Sequence, residues 1–169
     1  MNRTALAQEI RDLQLYTLSD NGLVPILAKT FDKSGFSVSS SLDTTTDESF
    51  KLFDRKGSWK VSKENGINSW IKLFCPNAVR IYRIRVKAVE NTKILKWKIQ
   101  GKMNVDEWED LLFELPLPPI EHVTLTLTLS NPILAKAYST YRILIEDFEG
   151  ENTELRHWQM YTVTPVFII

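Results

Sequence analysis

The side chains best suited to chemistry in this sequence are two pairs of carboxylates around a tryptophan. Asp106-Glu107 and Glu109-Asp110 lie on either side of Trp108 in the stretch NVDEWEDL. Two carboxylates held across a glycosidic bond can act as its acid and base. Acidic pairs in a polar turn are more often solvated. We therefore interpret these pairs as surface groups and predict a protein that is not an enzyme.

Other catalytic and metal-binding patterns are absent from the sequence. His122 and His157 are not part of an HExxH motif, and Cys75 is the only cysteine, so no zinc ligand set is present. The sequence contains no GxSxG, GxGxxG or GxxxxGK[ST] loop. We predict no cofactor and no metal, with one alternative left open. Oxygen-rich loops suit calcium, and the candidate ligands for it are Asp43, Asp47 and Asp54.

Trp108 is also the aromatic ring best placed to contact a carbohydrate. It lies among polar residues in a turn, whereas the other tryptophans occupy inward positions of alternating segments and are predicted to pack in the core. Those core tryptophans are Trp59, Trp70, Trp97 and Trp158. The candidate ligand-binding residues are Trp108, Asn104 and Asp106 in this turn, with Asn65 and Asn68 in the stretch KENGIN. For Trp108 as well, packing against the sheet is the favoured interpretation, and contact with a sugar is the alternative.

Segments that alternate between apolar and polar residues must position these turns. The clearest are residues 80–88, 95–100, 123–130 and 141–146. Asn65-Gly66, between two further segments, is a strong hairpin pattern. About eight short strands with a turn roughly every 8–12 residues are typical of an antiparallel sandwich or jelly roll. We predict an all-β fold with a short N-terminal helix.

Basic residues fill the polar positions of two successive segments. If the two strands lie in the same sheet, these residues form one outer surface. That surface is either solvated or docks on an acidic neighbouring subunit. The candidate interface residues are Arg83, Arg85, Lys87, Lys96 and Lys98.

Both ends of the chain predict contacts with a partner. Residues 3–15 have apolar residues at helical spacing, which adds Leu6, Ile10 and Leu13 to the candidate interface. Such a short helix docks either on its own domain or on a neighbouring protein. A turn at residues 19–22 divides the chain into an N-terminal arm, residues 1–22, and a sandwich, residues 23–169. The apolar C-terminal tail either pairs as a last strand or is covered by a partner.

Composition restricts the function classes further. With 169 residues, 43% of them hydrophobic, the chain can form one domain with a sizeable core. Its 21 basic and 21 acidic residues balance, which disfavours nucleic acid as a partner. No apolar run approaches the roughly 20 residues of a membrane span, and the N-terminus lacks a secretory apolar region. The single cysteine favours synthesis in a reducing compartment.

Seven segments follow one another in a fixed order: GFSVSSS, FKLFDRKGSW, NSWIKLFCP, VRIYRIRV, LKWKIQGKMNVDEWEDL, YSTYRILIED and LRHWQMYTV. This ordered set resembles the galactose-binding-like domain, also known as the discoidin or coagulation factor 5/8 type C domain. The resemblance implies a jelly-roll sandwich that binds glycans, phospholipid headgroups or proteins through loops at one end. The sequence departs from the family in having Arg55 where a glycine usually follows Phe-Asp, and in lacking the terminal disulfide and an HxRGD-like fucose motif.

The disulfide-free form is similar to domains on bacteriophage tail, baseplate and fibre proteins. The resemblance therefore implies a structural and binding module of a virion, assembled in the host cytoplasm. Its partners would be other virion proteins in a multimeric assembly, with cell-surface carbohydrate as a further ligand. A free-standing lectin or adhesion-like protein, cytoplasmic or surface-exposed, is the alternative. An accessory domain of a carbohydrate-active enzyme is the third hypothesis.

Overall fold

The computed structural model describes residues 15–31, 33–42, 48–65, 68–104, 107–132 and 135–166. In these ranges the chain forms ten β-strands and two 3-10 turns, and none of its helical segments has the length and apolar character to cross a bilayer. The strands are β1 (Leu15–Leu18), β2 (Ser37–Ser40), β3 (Trp59–Ser62), β4 (Ser69–Val79), β5 (Ile81–Ala88), β6 (Ile94–Lys102), β7 (Glu109–Asp110), β8 (Leu125–Thr128), β9 (Tyr138–Phe148) and β10 (Asn152–Val166). The 3-10 turns are Ser49–Leu52 and Lys63–Asn65.

The strands form two five-stranded antiparallel sheets. The first has the order β1-β10-β5-β8, with β3 also paired to β10, and the second has the order β2-β4-β9-β6-β7. This arrangement confirms the predicted antiparallel β-sandwich. The predicted N-terminal helix, with Leu6, Ile10 and Leu13, lies outside the described residues.

The sandwich has two ends, which separate the candidate site residues. At the turn end, β9 is followed by β10 after residues 149–151. At the terminal end, β1 pairs with residues 163–166 of β10. The start of β4 lies at the turn end, because Ser69 pairs with Ile145 near the end of β9. The end of β6 lies at the terminal end, because Lys102 pairs with Thr140 near the start of β9.

The core between the sheets contains three of the predicted tryptophans. Trp59, Trp97 and Trp158 are 4%, 4% and 1% exposed, and they pack with aliphatic side chains of both sheets. The Trp97 Nε1 donates a hydrogen bond to the Pro118 carbonyl at 2.8 Å. Cys75 is buried in the same core, and this burial raises the pKa of its thiol to about 12. A thiol that stays protonated at neutral pH is a poor nucleophile, so Cys75 has a packing role.

Trp70 lies on the outer face of the second sheet, which corrects the prediction that it belongs to the core. Its neighbours Ile71 and Leu73 are both fully buried, so the side chain of Trp70 points the other way. Both phases of this alternating segment contain large apolar residues. The sequence pattern therefore does not decide which phase faces inward.

The Asn65-Gly66 pattern does not produce the predicted hairpin. The preceding strand, β3, pairs with β10 in the first sheet, whereas β4 pairs with β2 and β9 in the second. The chain therefore crosses between the sheets at this point. Turn residues favour a change of direction, but packing over the whole core decides which strands become neighbours.

The five basic residues predicted to share a surface lie on two different sheets. Arg83, Arg85 and Lys87 are on β5 of the first sheet, and Lys96 and Lys98 are on β6 of the second. The two groups face solvent on opposite sides of the sandwich. Alternation identifies the outward face of each strand but gives no information about the sheet that the strand joins.

The first sheet begins within the predicted N-terminal arm. All four residues of β1 pair with β10, although they precede the predicted boundary at residue 23. The Tyr82 hydroxyl also donates a hydrogen bond to the Ser19 carbonyl oxygen, at 3.1 Å. The sandwich therefore includes residues 15–18, and only residues 1–14 of the predicted arm lie outside the described structure.

Candidate functional site

The structure separates the predicted ligand-binding residues into two groups. Asn68 directly precedes β4 and is at the turn end, and the backbone of Asn65 belongs to the 3-10 turn before it. Asn104 and Trp108 follow β6 and are at the terminal end. Asp106 lies outside the described residues. These residues therefore do not form one binding site, and the two turns must be considered separately.

Trp108 lies beside the outer face of the second sheet, where two cations contact its ring. The Arg142 guanidinium carbon is 4.2 Å from the ring centroid, and the Lys102 Nζ is 4.8 Å from it. The indole is half-buried, so part of its surface is open to solvent. Cation–π contacts of this kind contribute about 0.5–1 kcal/mol at exposed sites and hold a ring in a defined orientation.

A hydrogen-bonded row of side chains supports Trp108 on this face. Arg142, Gln100 and Asp110 are cross-strand neighbours on β9, β6 and β7. The Arg142 Nε donates to the Gln100 Oε1 at 2.7 Å, and the Gln100 Nε2 donates to the Asp110 Oδ1. Burial lowers the pKa of Arg142, and the charge of Asp110 opposes this effect. The row fixes polar groups beside the indole on rigid strands.

The surface continues from this row onto β4. Lys72 is the cross-strand neighbour of Arg142, and its Nζ is 5.2 Å from the Trp70 ring centroid. Phe74, two residues further along β4, is 41% exposed. We name this surface the Trp108 face, defined by Trp70, Lys72, Gln100, Lys102, Trp108, Asp110 and Arg142. It combines aromatic rings with donors and acceptors, as sites for small ligands do.

The two described carboxylates next to Trp108 are held by different partners. Glu109 accepts hydrogen bonds from the Lys136 ammonium at 2.9 Å and from the Tyr138 hydroxyl at 3.0 Å. These contacts lower the pKa of Glu109, while burial and Glu109 raise the pKa of Tyr138 to about 12. Asp110 instead contacts Gln100 and the Lys98 ammonium. The two carboxylates thus contact separate cations, Lys136 and Lys98.

Glu109 and Tyr138 also line a cavity at the terminal end. Its volume is about 340 Å³, and its wall is mainly apolar, including Leu111, Leu129 and Tyr141. A cavity of this size can hold a small ligand. Asp110 also borders this cavity and belongs to the Trp108 face, so the two features adjoin each other at β7.

The Phe-Asp turn, at residues 53–57, borders a cavity of about 490 Å³. The Asp54 Oδ1 accepts hydrogen bonds from the backbone N–H groups of Lys56 and Gly57, both at 2.7 Å. Arg55 has a positive φ of 65°, the conformation for which glycine is best suited. Asp54 therefore holds the turn through these two hydrogen bonds.

Among the described residues, the structure brings together no set of ligands that would support the calcium alternative. Asp43 and Asp47 lie outside the described residues. Near Asp54, the Ser58 hydroxyl is 2.6 Å from the Glu154 Oε1 and donates a hydrogen bond to it. No three His, Cys, Asp or Glu side chains in the described ranges are arranged to hold a metal ion.

The predicted interface residues differ in their ion pairs. Lys98 lies between Asp110 and Glu146, at 3.4 and 3.7 Å, and Lys96 is 3.8 Å from Glu146. On the other sheet, Arg83 contacts Asp20 at 3.3 Å. The sets on the two sheets are therefore separate surfaces with different electrostatic environments.

Most of the residues that support Trp108 are not among the candidates predicted from the sequence. Gln100 and Lys102 occupy polar positions of the stretch WKIQGK, and Arg142 occupies a polar position of YRILIE. Alternation alone predicts that all three face outward. It does not predict that β6 and β9 are neighbours, because they are separated in sequence by two other strands.

Comparison with solved structures identifies the same fold in carbohydrate-binding modules. The family 32 module of NanJ from Clostridium perfringens, solved in complex with galactose, has a TM-score of 0.59 and 13% identity, covering 79% of this chain and 98% of that chain. The F5/8 type C domain of a Bacteroides fragilis protein has a TM-score of 0.56 and 14% identity, covering 78% of this chain and 93% of that chain.

A chitosan-binding module from a Paenibacillus chitosanase/glucanase has a TM-score of 0.55 and 12% identity, covering 79% of this chain and 97% of that chain. No protein-family model and no curated protein matches the sequence. The structural matches confirm the resemblance predicted from the sequence at the level of fold. The chain has the galactose-binding-like β-sandwich.

Proposed function

We propose that this protein is a non-catalytic carbohydrate-binding module that binds a sugar on its Trp108 face. The observation that carries the proposal is the half-buried indole of Trp108, held by Arg142 and Lys102 beside the Arg142–Gln100–Asp110 row. An aromatic ring can contact the C–H groups of a sugar, and fixed donors and acceptors can bind its hydroxyls.

Two further observations support this proposal. The same fold occurs in the galactose-bound NanJ module and in the chitosan-binding module. The carboxylates Glu109 and Asp110 are engaged with separate cations, Lys136 and Lys98, rather than with each other. This arrangement favours a role in positioning polar groups over acid–base chemistry, for which one carboxyl must have a raised pKa.

The test is a glycan array with the purified full chain, followed by calorimetric titration of the best ligand. Trp108→Ala and Arg142→Gln should each weaken binding by about tenfold, which corresponds to ~1.4 kcal/mol. Phe31→Ala is the matched control, because Phe31 is 65% exposed and bridges to β2 at the other edge of the same sheet. Its affinity should stay at the wild-type value.

Two outcomes would contradict the proposal. One is that no glycan binds the wild-type protein. The other is that a glycan binds equally well to wild-type protein and to both site variants. Circular dichroism and urea unfolding of each variant would separate a lost contact from a lost fold.

We also propose a virion context for this module, in which it is part of a multimeric assembly with other virion proteins. Support comes from β1, an edge strand of the first sheet whose Leu18 is 53% exposed. An edge strand with an exposed apolar residue can be extended by another chain. The alternative, a free-standing lectin, would be monomeric.

Light scattering during size-exclusion chromatography distinguishes the virion proposal from the lectin. Full-length protein and a chain lacking residues 1–14 should differ in oligomeric state if the arm contributes to assembly. A monomer that binds glycans in both forms would instead support the lectin.

A further inference from the structure

The outer face of the first sheet has a row of basic residues that the Trp108 face does not use. Arg83, Arg85 and Lys87 alternate along β5 with Ile84 and Val86, which are both fully buried. The three basic side chains therefore project from the same side of the strand. At ~3.3 Å per residue the row is about 13 Å long.

The strands on either side of this row contribute uncharged or basic neighbours. On β10, His157 pairs with Lys87, and on β8, Thr126 pairs with Arg85. Arg55, in the Phe-Asp turn, is near enough to His157 to affect its protonation. We name these five residues, Arg55, Arg85, Lys87, Thr126 and His157, the basic face.

The basic face lacks the carboxylate partners found on the other sheet. In the described part of the chain, Arg55, Arg85 and Lys87 form no ion pair, whereas Lys98 on β6 has two acidic partners. The nearby Arg83 is different, because it contacts Asp20 and lies over the Tyr161 ring at 4.4 Å. Because the formal charge of the whole chain is zero, the positive charge of the basic face is balanced by acidic residues elsewhere in the chain.

The pKa of His157 responds to the positive charge of the basic face. Burial lowers the pKa of its imidazole, and Arg85, Lys87 and Arg55 lower it further. Positive groups that disfavour protonation of a neighbour are close together and incompletely neutralised. A bound anion would remove this repulsion.

We propose that the basic face binds an extended acidic polysaccharide through its carboxylate or sulfate groups. The unpaired cations match the charge of such a polymer, and the exposed Thr126 hydroxyl can hydrogen bond to its sugar hydroxyls. Because the basic side chains lie in a row along β5, an extended chain can contact them one after another.

Single-stranded nucleic acid fits this face less well. Its binding sites combine positive charge with aromatic rings on which bases stack. The described aromatic ring nearest to Arg85 is Tyr161, which is 5% exposed and covered by Arg83. The basic face is on the other sheet from Trp108, so this proposal does not depend on sugar binding at the Trp108 face.

The test uses calorimetric titration of the full chain with four polymers: polygalacturonate, heparin, neutral galactan and single-stranded oligothymidylate. The Arg85→Gln/Lys87→Gln variant should bind the acidic polysaccharides about tenfold more weakly, which corresponds to ~1.4 kcal/mol. Lys96→Gln/Lys98→Gln is the matched control, because it removes the same charge from the opposite sheet, where the lysines are ion-paired. Arg85→Gln alone alters one exposed side chain and serves as the second variant if the double substitution affects folding.

The binding site can be located independently by NMR. Addition of polygalacturonate or heparin should raise the pKa of His157 in the wild-type protein, because the bound anion offsets the field of Arg85 and Lys87. Trp108→Ala should leave this response unchanged. That result would separate the basic face from the Trp108 face.

Any of five results would overturn the proposal. Neither acidic polysaccharide binds; oligothymidylate binds as tightly as the acidic polysaccharides; galactan binds as tightly and its affinity is lowered by Arg85→Gln/Lys87→Gln; the two double variants lose the same affinity for the acidic polysaccharides; or His157 does not respond to a bound acidic polysaccharide. Loss of galactan binding in Trp108→Ala concerns only the Trp108 face.

Discussion

Replacement of Arg55 by glycine should stabilise the protein. Arg55 has a φ of 65°, in the left-handed region, between Asp54 and the two N–H groups that Asp54 binds. A residue with a Cβ in this conformation costs about 1–2 kcal/mol. Glycine removes that cost but increases the entropy of the unfolded chain by an equivalent of ~0.5–1 kcal/mol. The expected net gain is about 0.5–1 kcal/mol.

The matched control is Lys56→Gly, in the same turn. It removes the same charge, but Lys56 does not have a positive φ. The control should therefore lose about 0.5–1 kcal/mol through unfolded-state entropy alone. For a chain of 169 residues, 1 kcal/mol corresponds to about 2–4 °C in Tm, so the two variants should shift Tm in opposite directions.

Urea unfolding followed by tryptophan fluorescence measures the difference, with calorimetry as a second assay. The m-values of wild type and both variants should agree, since the substitutions change little buried surface. The reasoning would be refuted if Arg55→Gly were no more stable than wild type, or if Arg55→Gly and Lys56→Gly changed stability by the same amount. Either result would show that the left-handed backbone at Arg55 carries no strain.

Two further predictions concern buried polar groups. Thr153 is fully buried, and its hydroxyl has no hydrogen-bond partner in the described structure. Thr153→Val should therefore raise the free energy of unfolding, measured by urea unfolding, by about 1 kcal/mol. A decrease would contradict this prediction. The pKa of His157 is lowered by burial and by its basic neighbours, so the unfolded state binds its proton more tightly. Its contribution to stability is therefore present above the unfolded pKa, near 6.5, and is lost as the pH falls below that value. His157→Gln should flatten the pH dependence of unfolding below about pH 6.5, and an unchanged slope there would count against this account.

The sequence by itself determined the fold class and much of the core. Period-2 alternation depends only on neighbouring residues, and it identified the outward basic residues of β5 and the burial of Trp97 and Trp158. The ordered motifs also predicted the sandwich. These features are local, or they are patterns of local features along the chain.

Only the tertiary structure decided which elements became neighbours. It placed β5 and β6 in different sheets, turned Trp70 outward, and brought Arg142 from β9 beside Trp108. The same pairing left Arg85 and Lys87 without acidic partners while giving Lys98 two of them. Such contacts depend on how both sheets pack around one core, and the sequence of one strand does not determine which strand pairs with it.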